Sequence, residues 1–321
     1  MARYTRNTVI LAKVEGTYGT DSTPTGAEAM LVSKPTITPL RSNNVERDVL
    51  VGYLGQREQL VGTYYAECAF DVELVGGGTV GTAPAWGCLL RACGLAETET
   101  ADTRVDYTPI SSAFESVTIY WYDAGVRHKV LGARGTVSFK LTSGGIPVMS
   151  FSFKGLYVAA TATTNATPTL TGFKVPLVVA EPNTGDLTLG GTHSTSGAPA
   201  ISSGTAFPSM GLEVNLNNTV DYIPTLGGES VEITQRAPSC SFDLELTAAQ
   251  EVTAMADVLA GTLTTAGLVH GTAGGYKSLI WLPQVQRINP SKKDQNGKRY
   301  IGFDGRLVPS AGNDEFRLVL F

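Results

Sequence analysis

Two pairs of carboxylates occupy alternate positions in two similar stretches of the chain. Asp71 and Glu73 lie in one copy of the pattern Cys-x-Phe-Asp-x-Glu-Leu, and Asp243 and Glu245 lie in a second copy 172 residues later. Carboxylates two positions apart on a β-strand share a face, as the acid pair of a glycoside hydrolase would. Catalytic sites are seldom built twice at equivalent positions of one chain. We therefore interpret the acids as a solvated face or as the acidic lining of a channel in an assembly.

A glycine-rich run resembles a nucleotide-binding loop. Gly76–Gly81 matches the dinucleotide pattern Gly-x-Gly-x-x-Gly, and Glu97 stands about where a ribose-binding acid would lie. The strand predicted before this run alternates between apolar and polar residues, whereas a buried parallel strand is continuously apolar. Its counterpart in the second copy, Thr247–Ala249, contains no glycine. We therefore interpret the run as a loop.

The remaining chemistry-bearing residues form no recognisable site. Three histidines are scattered, and no His or Cys pair has the spacing of metal ligands. There is no nucleophile elbow and no Walker loop. Cys68 and Cys240 lie on apolar strand faces and Cys88 and Cys93 in a predicted helix, so we interpret all four thiols as buried and reduced. The sequence predicts no enzymatic activity, no cofactor and no metal.

The repeated pattern is the signature of a half-buried strand. Cys68, Phe70 and Val72 point to one side of it and the acids to the other, because side chains alternate along a strand. The surroundings of both copies also agree: strand, long loop, strand, short helix, hairpin and strand pair follow in this order twice. We predict a mainly β protein of two tandem β-sandwich or barrel domains, 31–157 and 209–321, each with one short flanking helix.

The segments outside these domains are rich in turn residues. Residues 1–30 are predicted to be an arm that gains order by lying on something else. Residues 158–208, rich in Thr, Gly and Ser, are predicted to be a linker. Within this linker, Phe173–Val179 and Leu187–Leu189 are candidates for short strands.

Each predicted domain contains one helix with terminal signals. Pro84–Leu95 begins with a proline, which suits a first helical turn. Ala248–Ala260 is preceded by a capping box of Thr247 and Gln250 and followed by Gly261, which suits a helix end.

Each predicted domain ends in a strand pair. Thr136–Leu141 is predicted to pair with Val148–Tyr157, and Tyr300–Val308 with Phe316–Phe321. Asn296-Gly297 is a strong two-residue hairpin signal before the second pair.

Composition excludes several classes of function. The formal net charge is −5, so no overall basic field would hold nucleic acid. The basic residues around Lys292–Asp294 and Lys298-Arg299 are interpreted as a solvated hairpin end or a salt-bridging contact, because no aromatic residue is interleaved with them. No apolar run of about 18 residues predicts a membrane span, and the first residues lack a signal-peptide pattern. Synthesis in the cytoplasm is expected.

Several stretches resemble one family. Glu15–Asp21 is similar to the N-terminal segment of the major tail tube proteins of long, non-contractile-tailed bacteriophages. Glu181–Asp186, Leu189–Gly191, Leu216–Asn218 and Ile233–Arg236 resemble later segments of the same family.

The resemblance implies a structural virion protein. Proteins of this family are built from a β-sandwich with one flanking helix, and their units form rings that stack into a hollow tube. Rings in the family are commonly hexagonal, so a chain with two units would close as a trimer with pseudo-sixfold symmetry. Expected partners are further copies of the chain, the tape measure protein, the tail terminator and the distal tail protein. DNA would pass through the lumen without specific binding.

Under this reading, Asp71, Glu73, Asp243 and Glu245 line the bore, where negative charge repels phosphate. The N-terminal arm and the loops at residues 45–66 and 220–237 reach the next ring. The expected apolar anchors of these loops are Leu54, Tyr64, Tyr65, Tyr222 and Ile223.

Three alternatives stay open. A distal tail or baseplate-hub protein would use the same unit as a single ring. An exported β-sandwich adhesin would need an export signal, which the pattern at the start does not provide. A glycan-cleaving enzyme would need a cleft between paired carboxylates.

Overall fold

The computed structural model describes residues 3–194 and 196–321, which form a mainly β structure. Two α-helices occur in these ranges, α1 (Gly87–Arg91) and α2 (Ala248–Ala260). The strands up to the linker are β1 (Thr8–Val14), β2 (Ala29–Met30), β3 (Ser33–Val45), β4 (Leu60–Glu73), β5 (Leu95–Thr100), β6 (Arg104–Pro109), β7 (Val117–Asp123), β8 (Val126–Thr142) and β9 (Val148–Ala162). The later strands are β10 (Leu187–Leu189), β11 (Thr192–His193), β12 (Ile201–Ser202), β13 (Thr205–Phe207), β14 (Ser209–Asn215), β15 (Asn218–Thr225), β16 (Gly228–Arg236), β17 (Ser239–Leu244), β18 (Leu263–His270), β19 (Ser278–Gln295), β20 (Lys298–Leu307) and β21 (Arg317–Leu320).

Eight of these strands form a continuous antiparallel sheet in the order β3–β4–β9–β8–β14–β17–β20–β19. The first four strands come from the first half of the chain and the last four from the second half. Both sets have the same strand order in the sheet. If the four strands of a set are numbered along the chain, and the second is the one that carries the repeated pattern, their order in the sheet is first, second, fourth and third. The two sets meet where β14 pairs with β8.

The repeated pattern forms the same contact in both sets. Phe70 on β4 lies opposite Phe151 on β9, and Phe242 on β17 lies opposite Phe303 on β20. The ring centroids are 6.0 Å apart in both pairs, with interplanar angles of 39° and 42°. All four rings are buried, and both pairs belong to one core that runs through both halves. The strand alternation predicted from the sequence is confirmed, since apolar positions of the pattern are buried and the acids are not.

The helices lie on the apolar side of this sheet. Leu89 and Leu90 of α1 and Ala254 of α2 belong to the same buried core as the phenylalanines. The prediction for α2 is confirmed, including the capping box of Thr247 and Gln250 and the left-handed conformation of Gly261.

The first helix is shorter than predicted. It has five residues, because a turn closed by the Gly87 N–H and the Pro84 carbonyl occupies the predicted first turn (2.9 Å). Trp86, which precedes the helix, offers no side-chain cap. A helix this short depends on the burial of Leu89 and Leu90.

One predicted pairing is wrong. β21 does not pair with β20; it lies along the first residues of β19, with Ser278 opposite Leu320, and on its other side against β6. The reason is that β19 has 18 residues and β20 only 10, so the start of β19 has a free edge that the C-terminal strand occupies. The predicted pairing of Thr136–Leu141 with Val148–Tyr157 is confirmed as part of the β8–β9 hairpin.

The terminal arm and the linker are ordered against the halves. In the arm, β1 pairs along its whole length with β7, and Ile10 and Leu11 are fully buried. In the linker, Leu187–Leu189 forms β10 as predicted, whereas Phe173–Val179 forms no strand. Pro176 interrupts this stretch, and Val175 is 86% exposed.

Candidate functional site: a polar sheet face between two open edges

The side of the eight-stranded sheet opposite the helices, called here the polar face, carries the repeated acids. Asp71, Glu73 and Asp243 lie on β4 and β17 and point away from the apolar core, and Glu245 follows directly after β17. Their side chains are partly exposed: 13% for Asp71, 23% for Asp243 and 34% for Glu245. The two halves of the chain therefore contribute their acids to one shared surface.

Three of the four acids have lysine partners. Asp71 pairs with Lys34 (2.9 Å). Asp243 pairs with Lys293 (2.7 Å) and Glu245 with Lys298 (2.6 Å), both from the basic hairpin end. The salt-bridging interpretation of that hairpin end is therefore confirmed. Among the described residues, Glu73 has no ion pair within 4 Å. The polar face is thus less negative than the acids alone would suggest.

The hydrogen bonds on this face alter ionisation. Burial alone would raise the pKa of Asp71, but hydrogen bonds donated by Lys34 and Ser150 hold it below its ordinary value. The hydrogen bond to Glu245 raises the pKa of Lys298. Both effects favour the charged forms, so the ion pairs are present at neutral pH.

A glycine leaves room for one of these pairs. Gly302 on β20 lies between Asp243 on β17 and Ser291 on β19. A Cβ atom at this position would lie 2.7 Å from Asp243 Oδ1 and 2.8 Å from Lys293 Cε. The Lys293 side chain therefore reaches Asp243 across the bare backbone of Gly302. In the first half, Ser150 holds the corresponding position, opposite Asp71.

The eight-stranded sheet has an open edge at each end. β3 pairs with β4 on one side, and no strand of residues 3–194 or 196–321 pairs with its other side. At the other end, Ser291–Gln295 of β19 pair only with β20 within those ranges. Both segments are largely exposed. Their backbone N–H and C=O groups are available to a further strand.

The chain closes one pair of such edges by itself. β14 occupies the edge of β8 that β9 leaves free, with Asn215 opposite Ser138 and Glu213 opposite Lys140. β14 holds the same place in the second set as β3 holds in the first, and β19 holds the same place as β8. The open edges of β3 and β19 are therefore the equivalents of the two edges that β14 and β8 join.

An arm extends from each set, between its first strand and the strand that carries the repeated pattern. The second arm, residues 218–236, is the hairpin β15–β16, and it packs onto the first half. Val220, Val231 and Ile233 are buried there against Phe114 and Leu156. Arg134 donates to the Val231 carbonyl (2.9 Å) and pairs with Glu232. Asn218 donates to the Cys93 carbonyl (2.7 Å), and Lys154 donates to the Val220 carbonyl (2.7 Å).

The first arm, residues 41–64, comprises the outer parts of β3 and β4 and the loop between them. It holds a series of exposed apolar side chains. Val45 is 59% exposed, Leu60 53% and Val61 65%, and Leu50 and Leu54 at the tip are fully exposed. An exposed apolar surface of this extent is typical of an interaction site.

The residues predicted as inter-ring contacts lie on these arms or at their bases. Leu54 is at the tip of the first arm, and Ile223 is half-buried on β15. Tyr65 stacks on Tyr222 with ring centroids 5.1 Å apart, so the base of the first arm touches the middle of the second arm. Tyr64 makes an edge-to-face contact with Tyr157 (5.4 Å).

The glycine-rich run has a packing role. The Gly78 N–H donates to the Gly275 carbonyl (2.9 Å), and a Cβ on Gly76 would lie 2.3 Å from the same oxygen. A Cβ on Gly81 would clash with the backbone of Thr100 and Asp102. These glycines permit close approach of backbone segments, including segments from both halves at Gly78 and Gly275. The interpretation of the run as a loop is confirmed.

The other candidates for chemistry do not cluster in the described part of the chain. Three of the four thiols are buried as predicted, whereas Cys88 is only half-buried. Burial raises the pKa of the Cys68, Cys88 and Cys240 thiols to about 12. His270 is 2% exposed and hydrogen-bonded to Thr184 (2.8 Å). Within the described ranges, no cluster of three or more His, Cys, Asp or Glu residues is suited to hold a metal ion. No helix of the described chain has the length and hydropathy needed to cross a membrane.

Comparison with known proteins gives one family. A family model described as "Phage tail tube protein" matches residues 5–304, from before β1 to within β20. No curated protein matches the chain.

Proposed function

Because the chain belongs to the phage tail tube protein family, we propose that this structural tail protein closes into rings of three chains and that the rings stack into the tube. One observation carries the proposal: an eight-stranded sheet with one polar face ends in two open edges that correspond to the edges joined inside the chain. Pairing β3 of one chain with β19 of the next would remove both exposed edges. The duplicated organisation and the long, non-contractile tail are part of this proposal.

The proposed number of chains rests on the six-unit rings that the family resemblance implies, together with the two sets of strands in each chain. Each chain supplies two sets of four strands, so three chains would supply six sets around one axis. A trimer would therefore have the pseudo-sixfold symmetry that the family resemblance implies. The tape measure protein, the tail terminator and the distal tail protein are the expected partners of the tube inside and at its ends.

In such a ring the polar face lines the bore, and DNA passes along it. Asp71, Asp243 and Glu245 are held by lysines, so the bore would present paired charges and the unpaired Glu73. Such a surface offers phosphates few free cations, and it favours passage over binding. Asn and Gln substitution of all four acids would free the lysines and should slow DNA ejection from the phage.

Electron microscopy of the purified protein tests the proposal. Tubes of stacked rings are expected. Single rings that do not stack would favour the distal tail or hub alternative. Protein that stays monomeric over the full accessible concentration range would contradict ring closure.

The tips of the two arms and the tyrosines and isoleucine predicted as contacts would meet the neighbouring ring. Leu54 and Leu226 are fully exposed at the two tips. Tyr64 and Tyr65 lie at the base of the first arm, and Tyr222 and Ile223 lie on β15, towards the tip of the second arm. We assign the ring-to-ring contacts to this group of residues. Substituting Leu54 by Asp should shorten tubes and leave single rings intact, whereas tubes of normal length would contradict the assignment.

A further inference from the structure

We propose that the base of the first arm docks within the ring, on the end of α2 in the neighbouring chain, as the second arm docks on the end of α1 in its own chain. The inference rests on the proposed ring and specifies its contact residues. The partner that binds at the end of α2 is therefore a second copy of this chain. The template for the contact is the junction between the two halves.

The repeated pattern gives the correspondence between the arms. Cys68 and Cys240 hold the same place in β4 and β17, and the same offset relates Val61 to Ile233. Val61 is 65% exposed, whereas Ile233 is 8% exposed. The two residues therefore stand at the same distance before the repeated pattern, and one is uncovered while the other is covered.

The surface that covers Ile233 has a counterpart in the second half. Ile233 Cδ1 lies 3.4 Å from the Cβ position of Gly94, which follows α1 in a left-handed conformation. Gly261 follows α2 in the same conformation. Beside Gly261, Leu259 is 89% exposed and Leu263 is 45% exposed. An apolar surface thus lies open at the place that corresponds to the covered one.

A polar anchor is also present. Arg134, which donates to the Val231 carbonyl, lies on β8 opposite Lys154, and Lys154 lies opposite Glu67 on β4. The corresponding row in the second half runs from Ser239 through Arg306 to Gln286. Gln286 Nε2 lies 3.5 Å from the Cβ position of Gly261. Gln286 therefore stands where a side-chain donor would meet the backbone of the docked arm.

The edge strands would be joined in the register of the internal junction. Asp71, Ser150 and Ser138 lie opposite one another on neighbouring strands of the first set, and Asp243, Gly302 and Ser291 do so in the second set. Ser138 therefore corresponds to Ser291, and Lys140, two residues further along, corresponds to Lys293. On the other strand, Val214 lies opposite Cys240 and Ile37 opposite Cys68, so Asn215 and Glu213 correspond to Thr38 and Thr36. The internal pairs Asn215–Ser138 and Glu213–Lys140 therefore predict Thr38 opposite Ser291 and Thr36 opposite Lys293 of the neighbouring chain.

Cross-linking between differently labelled chains tests the docking. A chain with Val61→Cys is mixed with a chain carrying Leu259→Cys, allowed to assemble and treated with a short bismaleimide. We expect a covalent dimer of the two chains. The unsubstituted protein, whose thiols are buried except for the half-buried Cys88, is treated in parallel and should not form this dimer. The matched control replaces Leu259→Cys by Val175→Cys, which is also exposed but lies in the linker, and it should give no dimer.

Single charge substitutions give a second readout. Val61→Asp and Leu259→Asp should each raise the protein concentration required for ring formation at least about tenfold, because each buries a charge in an apolar contact. Val175→Asp should not. Val61 and Leu259 are exposed, so the unfolding midpoint of the monomer should stay at the wild-type value in both of these Asp variants.

The outcomes separate this inference from the proposed function. Wild-type rings without the 61–259 cross-link, and with normal assembly of both Asp variants, would overturn the docking and leave the tube function standing. A wild-type protein that forms no rings would overturn both.

Discussion

The two arms occupy equivalent places in the two halves and differ in what covers them. Val231 and Ile233 of the second arm are buried against the first half, while Val61 and Leu60 of the first arm are exposed. The second arm finds its docking surface in its own chain, because a first half precedes it. Within the described residues no such surface covers the first arm, and in the proposed ring the neighbouring chain would supply it. This difference is the basis for proposing that the exposed apolar residues of the first arm form one side of an interface between chains.

The largest expected effect on stability comes from the buried phenylalanine pairs that occur in both halves. Phe70→Ala and Phe242→Ala should each reduce the free energy of unfolding by about 3–5 kcal/mol, because each leaves a cavity in the common core. Chemical denaturation with a single transition would measure both. If only one of the two variants lost stability, the claim of equivalent cores would be wrong.

The next largest expected effect on stability distinguishes the covered second arm from the exposed first arm. Val231→Asp should cost the monomer about 3 kcal/mol, because it places a charge in a fully buried apolar cluster. Val61→Asp should change monomer stability by less than about 0.5 kcal/mol, because its side chain is exposed. Denaturation at low protein concentration, where no rings form, makes the comparison. Equal losses in both variants would show that the first arm is already covered in the monomer.

A smaller effect on stability is expected at Gly302, which lies between Asp243 and Lys293. Gly302→Val should displace the Lys293 side chain and reduce the free energy of unfolding by about 1 kcal/mol. Ser150→Ala, at the corresponding position of the first half, should change it by less than about 0.5 kcal/mol. Denaturation of both variants provides the test, and a neutral Gly302→Val would indicate that the Lys293–Asp243 pair is dispensable.

The smallest effect is pH-dependent and concerns Asp71. Because the folded pKa of this carboxyl is lowered, its contribution to stability is present above the unfolded pKa near ~3.9 and is lost as the pH falls through the folded value. Lys34→Met should raise this pKa. At neutral pH the cost should be below about 1 kcal/mol, because the Lys34 side chain is 83% exposed. Unfolding measured from pH 2 to 7 should show the two proteins converging in acid, and a constant difference would refute the assignment to Asp71.

Local signals in the sequence predicted the local structure. The alternation around Phe70 and Phe242 predicted the two pattern strands, and the capping box with Gly261 predicted both ends of α2. Asn296-Gly297 predicted the β19–β20 hairpin. Each of these signals acts between residues close in the chain, where periodicity and turn chemistry determine the conformation.

Contacts between distant segments were not predictable in this way. The pairing of β14 with β8 and of β21 with β19 depends on which edges the other strands leave free. The lysine partners of the acids depend on the same arrangement: Lys293 reaches Asp243 only because Gly302 lies between them. The acids were recognised from their repetition, but the charge balance of the polar face follows from the strand order.

Cryo-electron microscopy of the assembled protein tests the central claim most directly. We expect rings of three chains in which β3 of each chain is paired with Ser291–Gln295 of its neighbour, and in which the polar faces surround a continuous bore. Protein that remains monomeric, or rings in which either of these edges is left unpaired, would contradict it.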